Sequence, residues 1–267
     1  AQAYGDVDMT FGPEYLIPFP FDNRLILRIA PAVAQAAMDS GVATRPIEDF
    51  DAYSDKLNRF VFRSGMVMKP IVAAAKAAKK RVIFADGEDE RVLRAAQVLL
   101  EDGIADPILI GRPEVIDTRL RRYALPIKIN EDFELINPLS DPRYRSYVDL
   151  YLTLAGRDGM TPEAASRMVR TNNTVIGALA VKRGEADALI CGLEGRYISN
   201  VNHIRQIIGK APGVRDLSTL SLLISSKGAH FFTDSYVTEE PTAEEIVEMT
   251  LLAADTIRRL GITTKEA

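Results

Sequence analysis

The stretch RVIFADGEDERVLRAAQVLLEDGI, residues 81–104, decides the fold class. Residues 81–85 (RVIFA) are a β-branched and aromatic run that reads as a short strand. The polar turn DGEDE follows, and apolar residues then recur at helical spacing from Arg91 to Glu101, where Asp102-Gly103 stops the helix. PILIG (107–111) repeats the strand, Pro113 opens a helix reaching Tyr123, and IKI (127–129) and FELI (133–136) supply the next strand candidates. Strands that alternate with helices need crossover connections, and those crossovers are right-handed. The expectation is therefore an α/β fold with a mostly parallel sheet flanked by helices.

Working outward, residues 142–183 read as mainly helical, with a helix start marked by Thr161-Pro162-Glu163. ALIC (188–191) reads as a buried strand ending at Gly192, followed by a helix from Ser199 to Ile208. LSLLIS (220–225) and HFFTD (230–234) have the spacing of a hairpin, and Thr242 to Leu260 is a helix opened by the capping box Thr242-x-x-Glu245 and ended by Gly261. Upstream, Pro70 to Lys80 is an alanine-rich helix with a basic end. Residues 1–65 differ in texture. Pro13, Pro18 and Pro20 imply an extended loop with one short strand at Tyr15 to Ile17. LILRIAPAVAQAAMDSG (25–41) is a helix carrying Ile29, Val33, Ala36 and Ala37 on one face, with Gly41 as its stop. Its small residues suit tight packing against another helix. The division is thus 1–65, an appendage, and 66–267, an α/β domain, in a chain expected to be a piece of a longer one.

Composition narrows the function. Of 267 residues, 47% are hydrophobic and 26% charged, enough for a sizeable core. The net charge of −4 with interspersed signs offers no basic stripe for nucleic acid, and no apolar run reaches bilayer length. Cys191 stands alone, so no internal disulfide forms and a cytoplasmic setting is expected. Beside it stand only His203 and His230, which argues against a zinc site while leaving carboxylate-bound Mg²⁺ open.

Two resemblances carry further. Residues 10–47, TFGPEYLIPFPFDNRLILRIAPAVAQAAMDSGVATRPI, resemble the last segment of the malic-enzyme domain in the large bacterial enzymes. Residues 81–104, PILIGRPEVI (107–116), NPLSDPRYRSY (137–147), VRTNNTVIGALAVKRGEADALICG (169–192) and DSYVTEEPTAEEIVEMT (234–250) resemble phosphotransacetylases and the phosphotransacetylase-like tail of those malic enzymes. The order of the two implies a two-module NADP-dependent malic enzyme, an oxidoreductase that decarboxylates malate to pyruvate with NADP and Mg or Mn. The resemblance places its catalytic and metal-binding residues upstream, and the absence of G-x-G-x-x-G here agrees. The tail is implied to sense acetyl-CoA and to assemble homo-oligomers. No catalytic or metal-binding residue is assigned to this chain. The alternative is a phosphate acetyltransferase moving acetyl between CoA and phosphate.

Active phosphotransacetylases follow the ALIC-type strand with G-A-x-H-T-T-A-D-T-x-R-P and a Q-I-I stretch. Aligned without gaps on Gly192 and Gln206-Ile207-Ile208, the arginine of that pattern falls on Asn202, the proline on His203 and the histidine on Gly195. A neutral amide lacks the bidentate, charge-assisted donors that hold phosphate, so the resemblance implies a receptor and not a catalyst. The effector candidates are Asn172, Asn173, Thr174, Gly192, Arg196, Tyr197 and Asn202. Asn172-Asn173-Thr174 reads either as a donor turn or as a helix cap, with Asn173 or Thr174 satisfying amides. Arg196, just past a strand end, reads either as an anion contact or as a solvated side chain, and Tyr197 could pack on an adenine or pantetheine. DGEDER (86–91) reads as a ligand loop or as acids complementing a helix start. His203 reads as a surface or interface residue and Cys191 as a small core residue. Arg143, Arg145 and Arg157 surround a helix with Tyr144, Tyr147 and Tyr151, which reads as a cation–π or intersubunit set or as a plain tyrosine edge.

Overall fold

The computed structural model describes residues 24–61, 65–225, 228–235 and 237–262. The strand expected at Tyr15 to Ile17 lies outside them. The described residues divide into two units, 24–69 with 222–230 and 70–221 with 231–262. In the first unit, α1 (Arg24–Asp39) keeps Pro31 inside it and ends before Gly41, whose φ of +74° suits a residue without Cβ. Asp49 caps α2 (Phe50–Val61) by accepting from the Ala52 amide at 2.9 Å. α1 packs on α2. The face expected to be packed is open, with Ile29 53% and Val33 62% exposed and Ala36 exposed as well. α3 (Gly65–Ala77) begins five residues ahead of Pro70, and Lys80 belongs to the following strand.

The second unit is built on β1 (Lys80–Phe84), α4 (Glu90–Glu101), β2 (Ala105–Ile110), α5 (Pro113–Arg122) and β3 (Glu134–Ile136). Next come α6 (Tyr144–Ala155), a 3-10 turn (Gly156–Asp158), α7 (Pro162–Thr171), α8 (Asn173–Lys182), β4 (Ala188–Ile190) and α9 (Tyr197–Ile207). The strands form one parallel sheet in the order β3-β2-β1-β4, with Phe84 between Leu109 and Ile190. The chain steps outward from β1 to β3, then returns to the other side of β1. Reversing direction with right-handed crossovers puts α4 and α5 on one face and the later helices on the other. Side-chain alternation confirms this. Phe84 and Leu109 pack with Val92, Leu93, Ile116 and Leu120, whereas Ile83, Ile108 and Ile110 pack with Tyr147, Val169, Ile176 and Leu179. A hairpin, β5 (Leu220–Ser225) and β6 (Gly228–Thr233), and α10 (Ala243–Arg259) complete the described elements. Both halves of the capping box at Thr242 and Glu245 are formed.

Four expectations are corrected. Residues 127–129 form no strand: Ile129 makes a single parallel bridge to Phe133, because a tight turn at Asn130, φ +60°, interrupts the extended backbone. β4 is not buried. It is the edge strand, and Ile190 is 52% exposed, since no described strand pairs with its outer side. The tyrosines of α6 are no surface edge, as Tyr147 and Tyr151 are buried and hydrogen-bond Glu185 at 2.5 Å and Gln206 at 2.9 Å. The cations over the rings are not Arg145 or Arg157. Arg170 lies over Tyr144 and Arg183 over Tyr147, while Arg143 pairs with Asp141 and Glu134.

Candidate functional site

The carboxyl ends of the parallel strands face one edge of the sheet, and the strand order reverses at β1: the chain leaves it for β2 on one side and comes back from β3 to β4 on the other. Open α/β sheets hold ligands at such a reversal point. A cleft of about 280 Å³ lies there. Asp86, Glu88 and Asp89 line it from the loop after β1, and Gly111, Arg112 and Arg119 from the β2–α5 side. Pro138 and Leu139 close it after β3, Arg170 and Asn173 at the α7–α8 corner, and Glu194 after β4.

The loop after β1 is held against the sheet. A Cβ on Gly87 would lie 2.7 Å from the Ile110 carbonyl oxygen and 2.9 Å from its amide nitrogen, so only glycine lets the backbone come this close. Asp89 caps α4 by accepting from the Arg91 amide at 2.8 Å, as the acid-at-helix-start reading required. Glu88 accepts three bonds from Arg112, from its amide at 2.9 Å, Nε at 2.8 Å and the guanidinium NH2 at 2.7 Å. These bonds hold the Glu88 carboxyl below the ordinary carboxylate range against the opposing effect of burial. Arg119 donates to the Glu88 carbonyl. Across the reversal point, the Leu193 amide donates to Asp86 at 3.2 Å.

The Asn172-Asn173-Thr174 corner performs three tasks. Asn172, not its neighbours, is the cap of α8, accepting from the Val175 amide at 3.0 Å, and its amide nitrogen meets His203 Nε2 at 3.1 Å. Asn173 donates to the Ala85 carbonyl at 2.9 Å, which ties α8 to the end of β1 and sets the residue on the cleft wall. Thr174, buried, donates to Asn200 at 3.0 Å, and Asn200 donates to the Glu194 carbonyl at 3.3 Å. Gly192 turns the chain off β4 with φ +101°. His203 is half-buried against α8, and burial lowers its pKa. Burial raises the Cys191 thiol, which keeps it protonated and poorly nucleophilic.

Of the expected effector residues, the structure therefore gathers Asn172, Asn173, Thr174 and Gly192 around one corner. Arg196 and Tyr197 stand at the start of α9, with Arg196 exposed at its N-cap, and neither lines the cleft. Asn202 is exposed on α9 and is also off the cleft; the residues of that helix tied to the Asn172–Thr174 corner are Asn200 and His203. Sequence reading missed Arg112, Arg119, Arg170 and Glu194. Arg112 could have been found by the rule that singled out Arg196, since it too follows a strand end. Among the described residues no group of three or more His, Cys, Asp or Glu side chains is placed to hold a metal ion.

Residues 66–267 match the family described as phosphate acetyl/butaryl transferase. The chain belongs to that family. Its whole length is also 69% identical to the NAD-dependent malic enzyme of Rhizobium meliloti and 51% identical to the NADP-dependent malic enzyme of Escherichia coli, in each case spanning 35% of the relative. The chain thus covers about a third of those curated relatives and resembles their phosphotransacetylase-like segment together with the stretch preceding it. Among solved structures, the EutD phosphotransacetylase from Staphylococcus aureus superposes with a TM-score of 0.66 at 23% identity, over 74% of this chain and 58% of that one, a likeness of fold.

Proposed function

We propose that this member of the transferase family is the acyl-CoA-sensing, oligomerising part of a malic enzyme, with residues 1–65 as the closing segment of the malic-enzyme domain and 66–267 as the sensor. One observation carries the reading: the family match begins at residue 66, yet the malic enzymes align across the full chain, including the 65 residues ahead of it. The upstream domain would oxidise and decarboxylate malate with a nicotinamide coenzyme and a divalent metal. Its coenzyme is left as NAD or NADP, because relatives named for both align with this chain. Among the described residues no acidic, histidine or cysteine side chains are grouped to hold that metal. The cleft supplies the effector site, with Asn173 on its wall and Asn172, Thr174 and Gly192 shaping the corner beside it, and acetyl-CoA is the proposed effector. Control of the distant domain requires that the effector bind one conformational state better than the other. Exposed apolar side chains on α1 and α10 supply surface of the kind that subunit contacts use. No described helix is long and apolar enough to cross a membrane, and we place the protein in the cytoplasm.

The test is malate oxidation by the full-length enzyme with increasing acetyl-CoA, alongside calorimetric binding. A change in activity that saturates with binding is expected; activity indifferent to acetyl-CoA would sink the proposal. The family match favours a second reading, acetyl transfer between CoA and phosphate. Steady formation of acetyl phosphate by the full-length protein would establish it in place of the first.

A further inference from the structure

We infer that Arg170, presented by the ring of Tyr144, is the side chain of this cleft that takes a ligand's phosphate; the inference rests on the ligand-binding reading of the cleft given above. Three guanidinium groups line the cleft, and they are not equivalent. Arg112 has two of its nitrogens on the Glu88 carboxylate, so its charge is already answered by an internal anion. Arg119 is turned onto the Glu88 carbonyl and sits in the field of the same carboxylate. Arg170 makes no ion pair among the described residues. Its guanidinium carbon lies 4.5 Å from the centre of the Tyr144 ring.

That contact leaves its donors available. A guanidinium over an aromatic face is attracted through its π surface, while its N–H groups point outward in their own plane, where a phosphate can accept two of them. The platform is itself fixed. The Tyr144 hydroxyl donates to the Ser166 carbonyl at 2.8 Å, and Ser166 lies one turn before Arg170 on α7. The ring is therefore locked to the helix that carries the arginine, and the guanidinium is ordered before a ligand arrives, which lowers the entropy lost on binding. The cleft volume of about 280 Å³ suits a phosphate or diphosphate group and its immediate neighbours, not a whole coenzyme. Arg170 thus takes the anionic recognition that sequence placed at Arg196.

Two ligands share this chemistry, the phosphates of an acyl-CoA and free inorganic phosphate, and each serves as a probe. Calorimetric titration of the chain with acetyl-CoA, and separately with inorganic phosphate, is made on wild type, Arg170→Ala, Arg170→Gln, Tyr144→Phe, Tyr144→Leu and Arg196→Ala. Loss of a charge-assisted pair predicts affinity roughly 10- to 100-fold weaker in both Arg170 variants, for whichever probe binds. Tyr144→Phe, which keeps the ring, retains most of the affinity, and Tyr144→Leu loses a larger share. Arg196→Ala binds as wild type. Arg170 is exposed, so neither of its variants is expected to change the melting temperature. If wild type binds acetyl-CoA and the Arg170 variants bind it equally, the inference is wrong while the effector reading stands. If inorganic phosphate binds in an Arg170-dependent manner and acetyl-CoA does not bind, the inference holds and the acyl-CoA reading falls. Binding of neither probe overturns both.

Discussion

α8 and α10 are both helices of the second unit, yet they are held in place by different means. In α8, ten residues long, every residue from Thr174 to Ala180 is buried, and its run of Thr, Val, Ile and Gly has weak helix propensity. In α10, seventeen residues long, Met249 and Ile257 are the buried side chains, and the ends are fully equipped with a capping box, acids in the first turn and arginines in the last. The first helix exists because the sheet and α6, α7 and α9 cover it; the second is specified by its own sequence. The candidate site grows from the first kind. Asn172, Asn173 and Thr174 are rigid because α8 cannot move without opening the core, so the site inherits its precision from packing.

The largest expected effect lies where that packing is densest. Leu179 is 0% exposed, and Leu179→Ala should cost about 2–5 kcal/mol in urea unfolding through lost burial and a residual cavity. The matching truncation on the other helix, Leu251→Ala at a residue 65% exposed, should stay within about 0.5 kcal/mol. Equal costs would break the comparison and show that the outer face of α10 is covered in solution. Next in size is Thr174→Val. It preserves shape but leaves Asn200 Oδ1 without its donor, a change expected to cost about 1–2 kcal/mol and to loosen the Glu194 turn. Thr242→Ala at the cap of α10 should cost roughly 1 kcal/mol, read as a lower melting temperature with the site's ligand affinity unchanged. Loss of affinity there would mean that α10 and the cleft are coupled.

The same contrast explains what sequence could reveal. α10 was legible to within a residue because its signals are local: Thr242, Glu245 and Gly261 act on their own neighbours. β1, α4 and β2 were legible because their periodicities are strong and their turns are marked by Gly87 and Gly103. β4 was misjudged because burial of an apolar run depends on what lies beside it, and nothing within ALIC records that it forms the sheet edge. The site was legible as a corner but not as a cleft. Asn172-Asn173-Thr174 stands out in one dimension, whereas the pairing of Glu88 with Arg112 and of Tyr144 with Arg170 joins residues far apart in sequence. Asn202 follows from gapless alignment, and it stands two residues, about 200° of helix rotation, from Asn200, which is tied into the site. That distinction is set by helix phase, which the alignment does not carry.

The smallest effect concerns the bond between α8 and α9, and it sharpens the comparison by asking whether burial alone secures α8. Asn172 Oδ1 is committed to the Val175 amide, so the group facing His203 Nε2 at 3.1 Å is the amide nitrogen, a donor. Nε2 must accept, which requires a neutral imidazole protonated on Nδ1. Burial lowers the His203 pKa from 6.5 in the folded chain, and no charged group adds to it: Arg205 is engaged with Asp216, and Lys182 donates to the Ile208 carbonyl. A group with a depressed folded pKa contributes stability that is complete above its unfolded value and lost as the pH falls through the folded one. Between about pH 7.5 and about pH 5.5, wild type should therefore lose more of its urea midpoint than His203→Gln, whose amide oxygen accepts the same bond and takes up no proton. Carboxylates elsewhere titrate alike in both proteins and cancel in the difference. Parallel midpoints across that range would mean that the ring is indifferent to protonation, and that α9 is held on α8 by apolar contacts without help from this bond.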